Sequence, residues 1–252
     1  MNEKKFDAKG SVYAKGRPAY PEQIFEYLIK TNVIKEDATV ADIGSGTGIF
    51  TLQMSPFANK IFAVEPNDDM RDKAELLYND FSNIVSVNGT AEATTLENTC
   101  VDLITVAQAF HWFDRESFKL ECQRILKENG NVFLVWNDRD TSSEIIKENF
   151  EVNRKFCPNF KGSSNGIDFS KDGFKDFFEG EFELVEFENH LTYDKDAFIS
   201  RNLSSSYAPK ATDDCYDEYV KAILEVFDKY NENGVVNYPY ITRCYIGKVH
   251  LN

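Results

Sequence analysis

Short apolar, β-branched runs alternate with amphipathic stretches between residues 39 and 136. This rhythm is typical of parallel strands joined by crossover helices. Phe118, Cys122 and Ile125 recur at helical spacing, and the pair Asn129-Gly130 predicts where that helix stops. The predicted strands cover residues 39–43, 60–65, 84–88, 101–107 and 131–136. The pattern therefore predicts a doubly wound sheet.

The rhythm changes in the second half of the chain. Residues 144–156 predict a helix, and residues 212–230 predict another with Thr212 as its N-cap. Acidic and apolar residues alternate over 181–188, which predicts a sixth strand, and residues 241–249 predict a last one. We therefore expect an α/β fold: a Rossmann-like, doubly wound, mostly parallel seven-stranded sheet with an antiparallel last strand and a small helical cap.

Length and charge narrow the classes of partner. A chain of 252 residues suits one core. Its 42 acidic and 28 basic residues give a formal charge of -14, which repels nucleic-acid phosphates and anionic membranes. No apolar run approaches the ~20 residues of a membrane span, and the charged first residues lack a signal-peptide core. We expect a cytoplasmic protein without nucleic-acid or membrane partners; its oligomeric state is not predicted.

Cysteine and histidine positions argue against a metal. The five cysteines are scattered and never form a Cys-x-x-Cys pair, and the three histidines lie far apart in the sequence. Reduced thiols and no metal site are expected.

The most informative stretch, residues 40–48, has the sequence Val-Ala-Asp-Ile-Gly-Ser-Gly-Thr-Gly. Gly44, Gly46 and Gly48 follow an apolar strand, where they allow a tight turn and a close approach to a ligand. Ile49 stands where a dinucleotide fingerprint has its third glycine, which weighs against NAD, and no Gly-Lys-Ser/Thr ending marks a P-loop. Glu65 ends the next strand, where a carboxylate can accept ribose hydroxyls. A nucleotide site is predicted.

With four further motifs, this stretch resembles the class I S-adenosylmethionine (SAM)-dependent methyltransferases, and more closely their methyltransferase type 11 group. Residues 42–48 form the first motif. The others are Val-Glu-Pro-Asn-Asp-Asp-Met at 64–70, Gly-Thr-Ala-Glu at 89–92, Gln-Ala-Phe-His-Trp-Phe at 108–113 and Arg-Ile-Leu-Lys at 124–127. The resemblance covers residues ~10 to 140.

That resemblance implies a cofactor site. The three glycines would wrap the methionine and ribose, Glu65 would hold the ribose hydroxyls, and Pro66 and Met70 would line the adenine. Residues 90–92 would close the adenine side, with Thr90 standing where many relatives have Asp. The implied cofactor-binding residues are Arg17, Asp42, Gly44, Ser45, Gly46, Gly48, Glu65, Pro66, Met70, Thr90, Ala91, Glu92 and Gln108.

Residues 13–21, Tyr-Ala-Lys-Gly-Arg-Pro-Ala-Tyr-Pro, are similar to a segment of relatives that include the trans-aconitate and related small-molecule methyltransferases. The similarity implies that residues 1–30 cover the cofactor, with Tyr13 near the sulfonium as a catalytic candidate and Arg17 near the SAM carboxylate. The alternative is a helix lead-in that ends at Pro21.

Candidates on the acceptor side follow the strands. His111 and Trp112 come after the fourth predicted strand, where ligands of open α/β sheets bind. His111 is a candidate general base or a residue that only orders its loop, and Trp112 is a candidate pocket wall. Arg139 and residues 201–207, including Tyr207, are candidates for acceptor selection; surface salt bridges are the alternative.

These features together predict a SAM-dependent methyltransferase that acts on a small molecule, a carboxylate or another oxygen nucleophile, and releases S-adenosylhomocysteine. Residues 1–252 are expected to form one methyltransferase domain, with insertions at 138–180 and 190–238 that cap the acceptor pocket. Two alternatives stay open: a SAM-binding protein without catalytic activity, and a Rossmann NAD-dependent oxidoreductase.

Overall fold

Seven strands form a single sheet in a computed structural model that describes residues 18–162, 171–178 and 182–249. Strands β1 to β7 are Thr39–Ile43, Lys60–Val64, Ile84–Val87, Val101–Ala107, Leu126–Arg139, Phe182–Asp194 and Val235–Gly247. Their order across the sheet is β3-β2-β1-β4-β5-β7-β6. Strands β1 to β5 are parallel, whereas β7 runs antiparallel to both β5 and β6. The predicted fold class is confirmed.

Helices connect the strands on both faces of the sheet. Helices α1 to α8 are Gln23–Lys30, Ile49–Met54, Asp68–Tyr78, Arg115–Ile125, Glu144–Phe156, Lys171–Phe178, Lys195–Leu203 and Tyr216–Tyr230. Two 3₁₀ turns, Ser55–Phe57 and Phe110–Trp112, follow α2 and β4. Side-chain caps start three of the helices, because Asn67, Asp114 and Asp194 each accept a hydrogen bond from a backbone N–H three residues on.

Two predicted helix limits were wrong. Helix α8 begins at Tyr216 rather than after Thr212, because Lys210 and Asp213 form a turn held by two hydrogen bonds. Helix α4 ends at Ile125, short of the predicted Asn129-Gly130 stop, because Leu126 is already extended and pairs with Val101 of β4.

Strands β5, β6 and β7 are longer than their apolar runs predicted. Strand β5 continues beyond Trp136 because Asn137, Asp138 and Arg139 pair with β7. Strands β6 and β7 pair along their whole length, from Phe182 opposite Gly247 to Asp194 opposite Val235. Polar residues take part in this pairing because a strand needs only backbone hydrogen bonds there.

Strand β5 shows how the two faces of the sheet are filled. Leu134 and Trp136 enter the apolar core on one face, whereas Phe133 and Val135 enter the core on the other. All four are fully buried, as the two-residue period of a central strand requires. Helix α6 lies within the predicted cap segment 138–180, but it packs on the first of these cores through phenylalanines that include Phe174.

Helices α5, α7 and α8 form a separate layer, the helical cap, on the outer halves of β6 and β7. Its apolar cluster is crossed by buried polar pairs: Tyr219 donates a hydrogen bond to Asn153 at 2.9 Å, and Tyr238 donates one to Asn149 at 2.6 Å. Buried polar groups require such partners, so these pairs fix how the helices sit on the strands. No helix in the described parts of the chain is long and apolar enough to cross a membrane.

Helix α4 provides a test of the packing. Phe118 is fully buried, and its ring centroid lies 5.0 Å from that of Phe113 and 5.6 Å from that of Phe177. Leu120 on the same helix is 67% exposed. We expect Phe118→Ala to lower the free energy of unfolding by about 3–5 kcal/mol, because it leaves a cavity. Leu120→Ala should change it by less than about 0.5 kcal/mol. Urea unfolding of both variants measures the difference, and equal values would contradict this packing.

Candidate ligand site at the glycine turn

The turn between β1 and α2 depends on three glycines in the left-handed region. Gly44, Gly46 and Gly48 have φ angles of 69°, 58° and 84°, which residues with a side chain adopt at a cost. The backbone N–H groups of Gly44 and Ser45 both donate to the carbonyl of Val64 at the end of β2, at 2.8 and 3.1 Å. These bonds hold the turn against the second strand.

The surroundings of the three glycines differ. A Cβ atom at Gly44 would lie 2.7 Å from the Cβ of Ala109, and one at Gly48 would lie 2.6 Å from the hydroxyl of Tyr78. At Gly46 a Cβ would meet no described protein atom within 4 Å. Gly44 and Gly48 therefore allow tight packing of the protein, whereas Gly46 borders open space that a ligand can fill.

A cavity opens at this turn, at the carboxyl ends of β1, β4 and β5. In an open α/β sheet this is the switch point, where the connections diverge to opposite sides and ligands bind. One wall, residues 18–20, is joined to α2 because Tyr20 exchanges two backbone–side-chain hydrogen bonds with Gln53. The lining residues are Pro18, Tyr20, Gly44, Ser45, Gly46, Thr47, Ile49, Phe50, Ala107, Gln108 and Asn137.

Gln108 lies in this wall with a strained backbone. Its φ of 57° is unusual for a residue other than glycine, and two hydrogen bonds hold it: its N–H donates to Val135 O at 2.9 Å, and its Nε2 donates to Asn137 O at 3.0 Å. Strain of this kind persists where surrounding contacts impose it, and it concentrates at ligand sites.

Glu65 lies just after β2 and joins two loops. Its Oε2 accepts a hydrogen bond from Gly46 N at 2.9 Å, and its Oε1 accepts one from Asn67 N at 2.8 Å. Burial raises the pKa of this carboxyl, although both hydrogen bonds favour its charged form. Each carboxylate oxygen has a further lone pair with which to accept a hydroxyl proton.

Asp42 lies beneath the turn rather than in the cavity wall. Its two oxygens accept hydrogen bonds from the hydroxyls of Thr51 in α2 and Thr105 in β4, at 2.5 and 2.9 Å. Complete burial raises its pKa to about 6. The carboxyl therefore fixes α2 to the sheet, and through α2 it supports the glycine turn.

The residues predicted to hold an adenine lie outside the described cavity lining. Pro66 and the buried Met70 stand at the start of α3. Thr90 and Ala93 form a closed turn around Ala91. Glu92 accepts a hydrogen bond from the backbone N–H of Asp114, the N-cap of α4, at 3.0 Å. Glu92 therefore joins the loop after β3 to the start of α4.

The remaining predicted residues lie in the 3₁₀ turn after β4, in the helical cap, or outside the described residues. His111 and Trp112 lie in the 3₁₀ turn after β4 with ring centroids 4.7 Å apart, and neither is among the described lining residues. Arg139 lies in the cap, where its Nη2 donates to the hydroxyl of Tyr207 at 2.9 Å. Both Tyr13 and Arg17 fall outside the described residues.

The structure thus brings Gly44, Ser45, Gly46 and Gln108 together around one cavity, with Glu65 bonded to the turn. Sequence reasoning did not single out Asn137 as a site residue. A signal was available, because Asn137 directly follows the predicted strand 131–136, at the end of the sheet where ligands bind. Tyr20 was also missed, although it belongs to the quoted segment 13–21.

The described residues contain no group of three or more metal-ligating side chains, and all five cysteines are free thiols. Arg139 and Arg201 form no salt bridge with any described carboxylate, so the surface-salt-bridge alternative is wrong for both.

Comparison with known proteins places the glycine turn inside a known domain. Residues 41–134 match the family of methyltransferase domains. An uncharacterized methyltransferase-like protein of Schizosaccharomyces pombe is 35% identical over 161 residues, 62% of each chain. An uncharacterized methyltransferase of Mycobacterium tuberculosis is 33% identical over 147 residues, 58% of each chain. The matches thus span less than two thirds of these relatives.

The fold extends further than the sequence match. The structure of a candidate type II methyltransferase from Anaeromyxobacter dehalogenans superposes with a TM-score of 0.67, over 94% of this chain and 99% of that one. At 18% identity this likeness shows the fold alone.

The burial of Asp42 predicts that the free energy of unfolding depends on pH. Its folded pKa of about 6 exceeds the ordinary value of 3.8, so its contribution to stability is complete at low pH and is lost as the pH rises through about 6. The stability advantage of the wild type over Asp42→Asn should therefore fall by about 2 kcal/mol between pH ~4 and ~7. Urea unfolding of both proteins across this range measures it.

Asp114→Asn is the matched control, because hydrogen bonds from Ser117 lower the pKa of the exposed Asp114. The advantage of the wild type over this variant should decline as the pH falls, the opposite direction. A constant difference between wild type and Asp42→Asn would contradict the burial of a charge at Asp42.

Proposed function

We propose that this chain, whose residues 41–134 match a family of methyltransferase domains, transfers a methyl group from SAM to a small-molecule acceptor. The observation that carries the proposal is that the matched domain and the features of a ligand site occupy the same residues. The domain match contains the turn at Gly46, which borders open space, and the carboxylate of Glu65, which bonds to that turn.

The residues present fit SAM. The uncrowded face of Gly46 allows the ligand to contact the backbone, and the free lone pairs of Glu65 suit two ribose hydroxyls. SAM supplies a methyl group on a positively charged sulfur, and its transfer to an acceptor oxygen leaves S-adenosylhomocysteine. We assign Asp42, Gly44 and Gly48 to the support of the turn that binds SAM. To SAM binding itself we assign the remaining predicted residues Arg17, Ser45, Pro66, Met70, Thr90, Ala91, Glu92 and Gln108.

The contribution of the protein is positioning and the exclusion of water, which can supply most of the catalysis of an in-line displacement. Asn137 donates to the carbonyl of Ala19 at 3.2 Å and accepts from Gln108 through its own carbonyl, so it connects two walls of the cavity. Tyr20 and Phe50 meet edge to face, with ring centroids 5.1 Å apart. These contacts give the cavity a fixed shape.

We assign the acceptor side to His111 and Tyr13, as catalytic candidates, and to Trp112, Arg139 and Tyr207. An acceptor carboxylate needs no proton removed near neutral pH, so His111 would then orient it. A neutral hydroxyl acceptor would need a general base, and His111 would take that role. The formal charge of -14 supports a small acceptor over nucleic acid, and the free thiols accord with a reducing cytoplasm.

Two alternatives differ in what they predict. An NAD-dependent oxidoreductase is disfavoured by Ile49 in place of the third glycine and by the domain match. A SAM-binding protein without turnover has the same donor site as the proposed enzyme, so only a measurement of methyl transfer separates those two.

The direct test is to incubate the protein with methyl-labelled SAM and a metabolite extract. We expect the label to appear in a small molecule, identified by mass spectrometry, together with S-adenosylhomocysteine. Heat-inactivated protein is the control. Tight SAM binding without labelled product would support the non-catalytic alternative, and labelling of added RNA or protein would contradict the small acceptor.

The proposed SAM site is tested by substituting two glycines that share a left-handed backbone, only one of which lines the cavity. Gly46 and Gly234 both have positive φ angles, and a Cβ at either would meet no described atom within 4 Å. Valine should therefore strain the backbone at both positions. Only at Gly46 would it enter the cavity, so Gly46→Val should abolish SAM binding while Gly234→Val retains it. Calorimetric titration measures binding, and circular dichroism checks the fold; normal SAM binding by Gly46→Val would refute the assigned site.

A further inference from the structure

Two arginine side chains are buried in the helical cap without a carboxylate beside them. Arg139 at the end of β5 is 9% exposed, and Arg201 in α7 is 4% exposed. Neither guanidinium lies within 4.0 Å of a carboxylate oxygen among the described residues. Less buried arginines of this chain do have such partners: Arg124 pairs with Glu121, and Arg243 pairs with Asp138 and Glu186.

The recorded polar contacts of both guanidiniums are with hydroxyl groups. The Nη2 of Arg139 donates to Tyr207, whereas its buried Nε has no hydrogen-bond partner among the described residues. The Nε of Arg201 donates to the hydroxyl of Tyr240 at 2.5 Å, and its Nη1 donates to Ser205 at 3.4 Å. Donors therefore outnumber acceptors in this cluster.

The two arginines flank one tyrosine. Tyr240 of β7 lies directly opposite Arg139 of β5 in the strand register, and its hydroxyl accepts the hydrogen bond from Arg201. Burial and the positive charge of Arg139 oppose the charged form of Arg201, but the surrounding tyrosine hydroxyls outweigh both and raise its pKa. The two like charges repel each other, and an anion between or beside them would offset that repulsion.

The surrounding tyrosine hydroxyls favour the charged form of both arginines and raise the pKa of each. Burial raises the pKa of Tyr193 and of Tyr238, which keeps both hydroxyls neutral. Burial also opposes ionisation of Tyr207, but the two arginines outweigh it and lower the pKa of that hydroxyl below its ordinary value of 10. A neutral hydroxyl supplies a dipole, whereas an external anion supplies a full charge.

The cluster is also close to the cavity at the glycine turn. Side chains two residues apart on a strand point to the same face, about 7 Å from each other. Asn137 lines that cavity, and Arg139 stands two residues further along β5. Arg139 therefore stands about 7 Å along β5 from a residue of the cavity wall.

We propose that Arg139 and Arg201 bind an oxyanion group, a carboxylate or a phosphate, of the small acceptor. This anchor rests on the proposed function, whose acceptor class it names: small molecules with at least one anionic group besides the atom that receives the methyl group. Planar guanidiniums bind both oxygens of such a group, so the anchor also orients the acceptor.

The test measures the melting temperature of the whole protein, without SAM, in a chloride buffer of constant ionic strength. The probes are succinate, citrate and inorganic phosphate at up to about 10 mM, with trimethyl citrate as the uncharged counterpart. The variants are Arg139→Met and Arg201→Met, which remove the charge and keep an apolar stem. Arg154→Met is the control, because Arg154 is exposed on α5 and pairs with Glu151.

We expect at least one anion to raise the melting temperature of the wild type and of Arg154→Met, and trimethyl citrate to have no effect. Arg139→Met and Arg201→Met should lose this shift, with affinity for the anion reduced at least about tenfold. A response to carboxylates alone or to phosphate alone assigns the source of the oxyanion.

The anchor is refuted if none of the three anions stabilises the wild type, a result that does not depend on whether the variants fold. It is also refuted if both variants keep the full shift. SAM binding by the wild type is titrated in parallel. Absence of SAM binding would defeat the proposed donor site, whereas absence of an anion effect would defeat only the anchor.

Discussion

The side chain of Asn137 lies where three strands and the segment before α1 meet, and its amide has a partner on every side. Its Oδ1 accepts from the hydroxyl of Thr242 in β7 at 2.5 Å and from the amide of Asn189 in β6 at 3.1 Å. Its Nδ2 donates to Ala19 O, which the Asn189 amide also contacts. A buried amide left without these partners would be costly, so the alignment of β5, β6 and β7 and the position of the cavity wall are fixed together.

The hydrogen bonds of Asn137 join two parts of the sheet that have different roles: the parallel strands β1 to β5 and the antiparallel pair β6 and β7. The parallel half holds the glycine turn in place through Asp42, whose oxygens are bonded to α2 and β4, and through Glu65, which is bonded to the turn itself. The antiparallel half carries the cap on the extended ends of β6 and β7. Asn137 belongs to both halves, because its backbone extends a strand of the first and its side chain bonds to strands of the second.

Sequence periodicity predicted the parallel half well, because buried strands there are continuous apolar runs such as 101–107 and their glycines are locally required. It underestimated β5, β6 and β7, since the pairing of Asn137, Asp138 and Arg139 with β7 depends on a partner more than a hundred residues away. The glycines and Gln108 could be placed from motif order. The burial of Arg139 and Arg201 could not, because an isolated arginine in a sequence looks the same whether its partner is a surface carboxylate or a tyrosine hydroxyl.

The long pairing of β6 with β7 has a consequence for how such a chain can diversify. The domain match stops at residue 134, before the part of β5 that pairs beyond Trp136 and before the whole hairpin with its helices. Substitutions on the outer halves of β6 and β7 and in α5, α7 and α8 change the helical cap while leaving the turn at Gly46 and the carboxylate of Glu65 untouched. Duplicated copies of such a gene can therefore acquire different residues in the helical cap, and with them different chemistry, while they retain the same glycine turn.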